Sequence, residues 1–195
     1  MIYGAKYWND PERYYKQTNN PTEALLAKMG KGLETCGPSS AVNCLAALGY
    51  PLEVAYPGGY IPQPEEILSD YMNDPRNYPK LRAARSDVDP AKMPGNRVPQ
   101  YYPLAVREVF RAKGEYTYSA SWDAIKKHFQ AGKAAQICLE TPGHYLAGVA
   151  FDPVTDELIY HDPWPERTGK GGRALRMGHE EYLTNVKNFC IVYSI

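Results

Sequence analysis

A thiol acts as a nucleophile only as its thiolate, and a helix N-terminus favours that form through its unpaired N–H groups and the positive end of the helix dipole. Of the four cysteines, Cys36, Cys44, Cys138 and Cys190, one has that position. Cys36 stands before Gly37-Pro38, and Pro38 fits a first helical turn, where its missing N–H costs nothing. Cys44 lies inside an apolar helix pattern, and Cys138 and Cys190 lie inside strand-like runs, so these three read as small core hydrophobes. A nucleophilic thiol also needs a base to ionise it and an acid for the leaving amine, the work of a histidine held by a carboxylate or amide. The candidates are His128, His144, His161 and His179. His144 follows Pro142-Gly143 and opens an apolar run, which sets a polar ring at the mouth of a buried sheet. Asp162 closes the next strand of the same hairpin, where Pro163-Trp164 breaks the pairing, so its carboxylate can lie beside the first residue of the partner strand. No cysteines have the CxxC spacing of a structural zinc site.

These side chains need a helix and a sheet to hold them. Residues 37–48 are small and apolar on nearly every side and meet Gly49 and Pro51, stop signals for a helix buried at the centre of the fold. From 51 to 103 the chain turns polar and rich in Pro, Tyr and Asp. A helix is expected at about 64–71, and the rest reads as a long ordered insertion or lid. Amphipathic helices are expected at about 104–112 and 122–130, the second capped by Ser121. Runs at 135–139, 144–151, 157–161 and 189–195 read as strands, with a turn at 152–156. Helices first and adjacent strands afterwards imply an α+β class with an antiparallel sheet, in a single domain over 1–195.

With 195 residues, 44% apolar and 23% charged, the chain can bury roughly 70% of its unfolded surface. The 16 Gly and 17 Pro fall well short of the roughly 25–30% that marks low-complexity chains. Twenty-two basic residues balance 22 acidic ones, which gives no whole-chain reason to expect nucleic acid or an anionic membrane as partner. No apolar run approaches the roughly 18 residues of a membrane span, and the N-terminus lacks a signal-peptide core. The expectation is a chain that is cytoplasmic on synthesis, with reduced thiols.

Gln17 in Tyr14-Tyr15-Lys16-Gln17-Thr18-Asn19-Asn20-Pro21, Thr35-Cys36-Gly37-Pro38-Ser39-Ser40, Gly143-His144-Tyr145 and His161-Asp162-Pro163-Trp164 together resemble the papain-like cysteine peptidases related to the bacteriocin-processing, double-glycine-cutting enzymes. The match covers about 14–50 and 134–164. The resemblance implies a papain-like fold, its central N-terminal helix carrying the Cys and packed on an antiparallel sheet. It implies nucleophile Cys36, general acid/base His144 and orienting residue Asp162. It also implies Gln17 as an oxyanion donor beside the Cys36 N–H, an interaction typically worth about 3 kcal/mol of barrier. The stretch 22–32 lengthens the Gln-to-Cys spacing, and Asn19 or Asn20 is the alternative donor.

The resulting expectation is a cysteine peptidase working through a thioester acyl-enzyme that water resolves, with no cofactor and no metal. The expected partner is a peptide, most specifically a murein stem peptide cut by an endolysin that reaches the cell wall after another agent opens the membrane. The alternatives are a cytoplasmic processing or deconjugating protease, a transglutaminase-like acyltransferase, and an inactive binding module. Trp164 and Gly143 are expected in the substrate groove. Arg173 and Arg176, in the basic, glycine-rich run 167–176, are expected to meet substrate carboxylates. Asp70, Asn73, Asp74 and Asn77 offer oxygens for Ca²⁺, but their spacing matches no EF-hand loop.

Overall fold

The computed structural model describes residues 1–19, 35–53 and 62–195. Its frame is an antiparallel sheet of strands β1 (Tyr3–Gly4), β2 (Lys113–Thr117), β3 (Ala134–Leu139), β4 (Tyr145–Asp152), β5 (Glu157–His161), β6 (Leu175–Gly178) and β7 (Val186–Ser194). The strand order is β2-β7-β3-β4-β5-β6, with β1 paired to β4. All six residues of β3 and the first seven of β4 are buried, so the centre of the sheet is covered on both faces.

Helix α1 (Cys36–Leu48) covers one face. Its residues 37–48 are all buried, as a helix apolar on every side requires. Cys36 is its one partly exposed residue, so the thiol sits where a core helix reaches the surface. Helices α2 (Pro64–Asn73), α3 (Tyr78–Ala84) and α4 (Tyr101–Phe110) pack on the same side. Leu68, Met72, Leu81, Tyr101 and Tyr102 share one apolar cluster with Ala41, Leu45 and Leu48 of α1. The opposite face is closed by α5 (Trp122–Gln130) and α6 (His179–Asn185), where Trp122, Ile125, Phe129 and Tyr182 pack on Ile137, Leu146 and Val192. This mixed helix and antiparallel-sheet architecture is the papain-like one that the resemblance implies.

Several elements differ from the sequence expectation, among them β1, β2 and α6, which it did not anticipate, and β7, which begins at Val186 rather than 189. The helix expected at 104–112 begins earlier, at Tyr101, because Tyr101 and Tyr102 bury their rings in the α1 cluster. Residues 78–84 form α3, which Pro79 starts and which buries only Leu81, too little apolar repeat to read as a helix. The basic run 167–176 ends inside β6, where Leu175 and Arg176 pair with Tyr160 and Ile159 of β5.

Candidate active site

Three polar anchors and one steric constraint hold α1 and the loop before it. The Gln136 Nε2–H donates to the Gly37 carbonyl at 2.9 Å, and the Tyr193 hydroxyl donates to Gln136 Oε1 at 2.7 Å. Ser40 Oγ donates to the Tyr145 carbonyl at 2.9 Å, tying α1 to the start of β4 beside His144. Asn43 accepts from the Tyr15 N–H at 2.9 Å and donates to the Tyr15 carbonyl at 2.8 Å, which holds the segment carrying Gln17 against α1. The fourth constraint is steric: a Cβ at Gly37 would stand 1.9 Å from the Tyr102 hydroxyl and 3.0 Å from the Asn96 carbonyl. Only glycine lets the helix end approach these groups so closely.

His144 follows Gly143, whose φ of +82° makes the sharp entry into β4 that places the ring. The ring is 5% exposed and its Nε2 lies 2.7 Å from Oδ1 of Asp162, which is fully buried. An ionised carboxylate only accepts, so Nε2 carries the proton and Nδ1 is the ring nitrogen left for Cys36, whose side chain is close enough to raise the pKa of the ring. Burial pushes the imidazolium down, but the hydrogen bonds to Asp162 and Cys36 and their charges outweigh it and carry His144 up to about 9. The same balance runs the other way at Asp162. Burial raises its carboxyl, while the bonds from His144 and from the Trp164 N–H, with the Arg167 guanidinium, hold it below the usual carboxylate value.

Arg167 is the residue that sequence reasoning missed. Its Nε donates to Asp162 Oδ2 at 2.7 Å, so both carboxylate oxygens are engaged. The signal was a cation five residues after Asp162, read only as part of the basic, glycine-rich run 167–176, whereas the guanidinium turns inward to Asp162. The Tyr14 hydroxyl donates to the Asp162 carbonyl at 2.6 Å and the Asp162 N–H donates to the Gly172 carbonyl at 2.6 Å, which pins the run against the same residue.

The structure brings Cys36, His144 and Asp162 together with Trp164, whose ring stands edge-on to His144 at 6.3 Å between centroids. Gln17 is 1% exposed, and its N–H donates to the Pro163 carbonyl at 2.8 Å, one residue from Asp162. Its Oε1 makes no hydrogen bond among the described residues. Asn20 and the stretch 22–32 lie outside the described residues, and Asn19 is exposed. Gly143 lines a groove of about 520 Å³ with Cys36, Cys138, Pro142, Tyr145, Lys187 and Phe189, closed on one side by Asn96, Arg97 and Pro99. Trp164, Arg173 and Arg176 are not in that lining. Arg173 donates to the carbonyl and Oδ1 of Asn9, and Arg176 is held by Asp152 and Glu157 at the β4–β5 turn.

The other histidines have structural surroundings. His161 Nδ1 accepts from the Ala174 N–H at 3.0 Å, and burial pushes its pKa down to about 4. His179 stacks on Trp122, and His128 lies on α5. Asn73 donates to the Ser69 carbonyl and to Asn96 Oδ1 and accepts from the Gly95 N–H, Asn77 donates to the Tyr71 carbonyl, and Asp74 pairs with Arg76. Among the described residues, no group of three or more His, Cys, Asp or Glu is placed to hold a metal ion. No helix among them is long and apolar enough to cross a membrane.

A buried helix with a thiol at its open end, packed on an antiparallel sheet, is the architecture of the papain-like cysteine peptidases. A family model for the Peptidase C39-like family matches residues 12–188, and the chain belongs to that family. Among solved structures, it is similar to the N-terminal peptidase C39-like domain of the toxin secretion ATP-binding protein from Vibrio parahaemolyticus, at 14% identity and a TM-score of 0.33, covering 50% of this chain and 70% of that one. It is also similar to a C39-like peptidase from Bacillus anthracis, at 11% identity and a TM-score of 0.35, covering 50% of this chain and 58% of that one, less than two thirds of its length. No curated protein matches the chain.

Proposed function

We propose that this chain is a cysteine peptidase that hydrolyses a peptide amide through a thioester, with Cys36 as nucleophile, His144 as general acid/base and Asp162 as the residue that orients the ring. The observation that carries this reading is the Nε2–Oδ1 contact of 2.7 Å between two buried groups, which leaves Nδ1 as the ring nitrogen for Cys36. Cys36 Sγ passes its proton to His144 and attacks the scissile carbonyl carbon, and the carbonyl π pair moves onto oxygen. The Cys36 N–H and the Gln17 side chain are the proposed donors to that oxyanion. Collapse of the adduct breaks the C–N bond as His144 returns its proton to the leaving amine. Water, deprotonated by His144, then attacks the thioester and releases the acid and the thiol.

The finer reading is a murein peptidase of endolysin type, acting on stem peptides after the membrane is opened. Its support is that, among the described residues, the two charged ones lining the groove, Arg97 and Lys187, are cationic, which suits amides flanked by carboxylates. The test is incubation with purified murein and with a peptide library, followed by mass spectrometry of the products. New amino groups from walls support the reading. If walls release none while a folded protein is cut, a processing or deconjugating protease replaces it, and amine incorporation without hydrolysis would make the chain an acyltransferase.

A further inference from the structure

The pairing of β3 with β7 is interrupted beside the thiol. Ile137 pairs with Cys190, yet Leu139 pairs with Val186, so Lys187, Asn188 and Phe189 together oppose the single residue Cys138. Such bulges bend a strand and re-aim its side chains. Cys190 faces the α5 side of the sheet, and Phe189 packs against the α1 side. Asn188 turns away to accept from the Ala120 N–H at 3.1 Å. Lys187, two residues from Phe189, comes back to the α1 side and joins Cys36, Cys138 and Phe189 in the groove lining. It is only partly exposed, and among the described residues no carboxylate lines the groove with it. Its ammonium acts on the Cys138 thiol, where it opposes the burial that pushes that group up to about 12.

We propose that Lys187 is a specificity-determining residue: its ammonium receives a substrate carboxylate in the groove beside Cys36, so that peptides with an acidic side chain near the scissile bond are preferred over their amide counterparts. The inference deepens the peptidase reading and rests on it for the word substrate. A cation presented by a bulge into a groove that Phe189, Pro142 and Tyr145 also line meets a carboxylate in a partly desolvated setting, where such a pair discriminates more strongly than on an open surface.

Two measurements on the full chain test this, and their failures are distinguishable. The first needs no turnover: the rate of Cys36 alkylation by anionic iodoacetate is divided by that for neutral iodoacetamide, with mass mapping of the site. Lys187→Met is expected to lower this ratio about 3- to 10-fold and Lys187→Arg to preserve it, with the wild-type ratio falling as salt rises. A ratio unchanged in Lys187→Met overturns the proposal whether or not the protein cleaves anything. The second compares kcat/KM on decapeptide pools that differ only in carrying Glu or Gln. A wild-type preference for Glu of about tenfold, lost in Lys187→Met and turned toward Lys-bearing peptides in Lys187→Glu, supports it. Equal rates on both pools, or a preference that survives Lys187→Met, overturn it. Cleavage of neither pool, nor of walls or folded protein, counts against the peptidase reading, and the alkylation ratio then still decides for or against the cation at the groove.

Discussion

A thiol at the open end of a buried helix differs from three thiols inside the core chiefly in access. Cys36 is accordingly expected to be alkylated by iodoacetamide first, with Cys44, Cys138 and Cys190 lagging, as mass mapping of the native protein would reveal. Cys36→Ala and His144→Ala should each reduce cleavage to background, because either removes a reacting atom. Asp162→Asn has a more informative outcome. The amide oxygen can still accept from the His144 Nε2–H, but the amide NH₂ is then turned toward the Arg167 guanidinium, which now donates to Asp162 Oδ2. The single variant should keep a remnant above the His144→Ala level, and Asp162→Asn with Arg167→Leu should exceed it in kcat/KM; a double variant worse than the single would count against that clash. The pair also sets a pH window. Because the folded His144 is raised to about 9, above its unfolded value of about 6.5, the pair's contribution to stability is complete below about 6.5 and is lost as pH rises through about 9. Urea unfolding at intervals from pH 6 to 10 should show the difference between wild type and Asp162→Asn shrinking over that range.

At the scale of elements, α1 serves as a positioning device because three other elements grip its N-terminal half. The Gly37 site is the tightest of these, where the Tyr102 hydroxyl, itself donating to the Asn96 carbonyl at 2.8 Å, fills the space a Cβ would need. Gly37→Ala is expected to cost about 1–3 kcal/mol, the usual range for overpacking, and to slow Cys36 alkylation by shifting the helix end. Tyr102→Phe alone removes a buried hydroxyl and leaves the Asn96 carbonyl without that donor. Combined with Gly37→Ala it should recover part of the loss, so a double-mutant cycle in urea would give a favourable coupling; strict additivity would mean that the two do not meet.

For the whole molecule, the segment from 62 to 103 is a helical layer that completes the α1 side of the core, whereas a detachable lid would share little apolar surface with the rest. Leu68 and Met72 are fully buried in the same cluster as Leu45 and Leu48. Leu68→Ala should therefore lower global stability by about 2–5 kcal/mol, as a core truncation does. Phe129→Ala, on the opposite face of the sheet, should cost about 3–5 kcal/mol, with both losses appearing in one cooperative transition. If Leu68→Ala merely opened a local segment while the main transition stayed in place, the layer would be a lid after all.

Sequence alone determined whatever depends on local chemistry and on neighbours along the chain. The small apolar run 37–48 with its stop at Gly49 could only be a buried helix, and Trp122–Gln130 and Glu157–His161 fall where their capping and turn signals put them. The pairing of His144 with Asp162 was legible because one hairpin carries both, and a turn at 152–156 brings the strand ends together. Tertiary structure decided the matters that depend on which distant group competes for a side chain. Arg167 and Arg176 look alike in sequence, yet one turns in to Asp162 and the other is taken by Asp152 and Glu157, because those carboxylates are closer than any substrate would be. Lys187 enters the groove only because β7 slips by two residues against β3, and strand register is set by the packing of both faces, which no local pattern records.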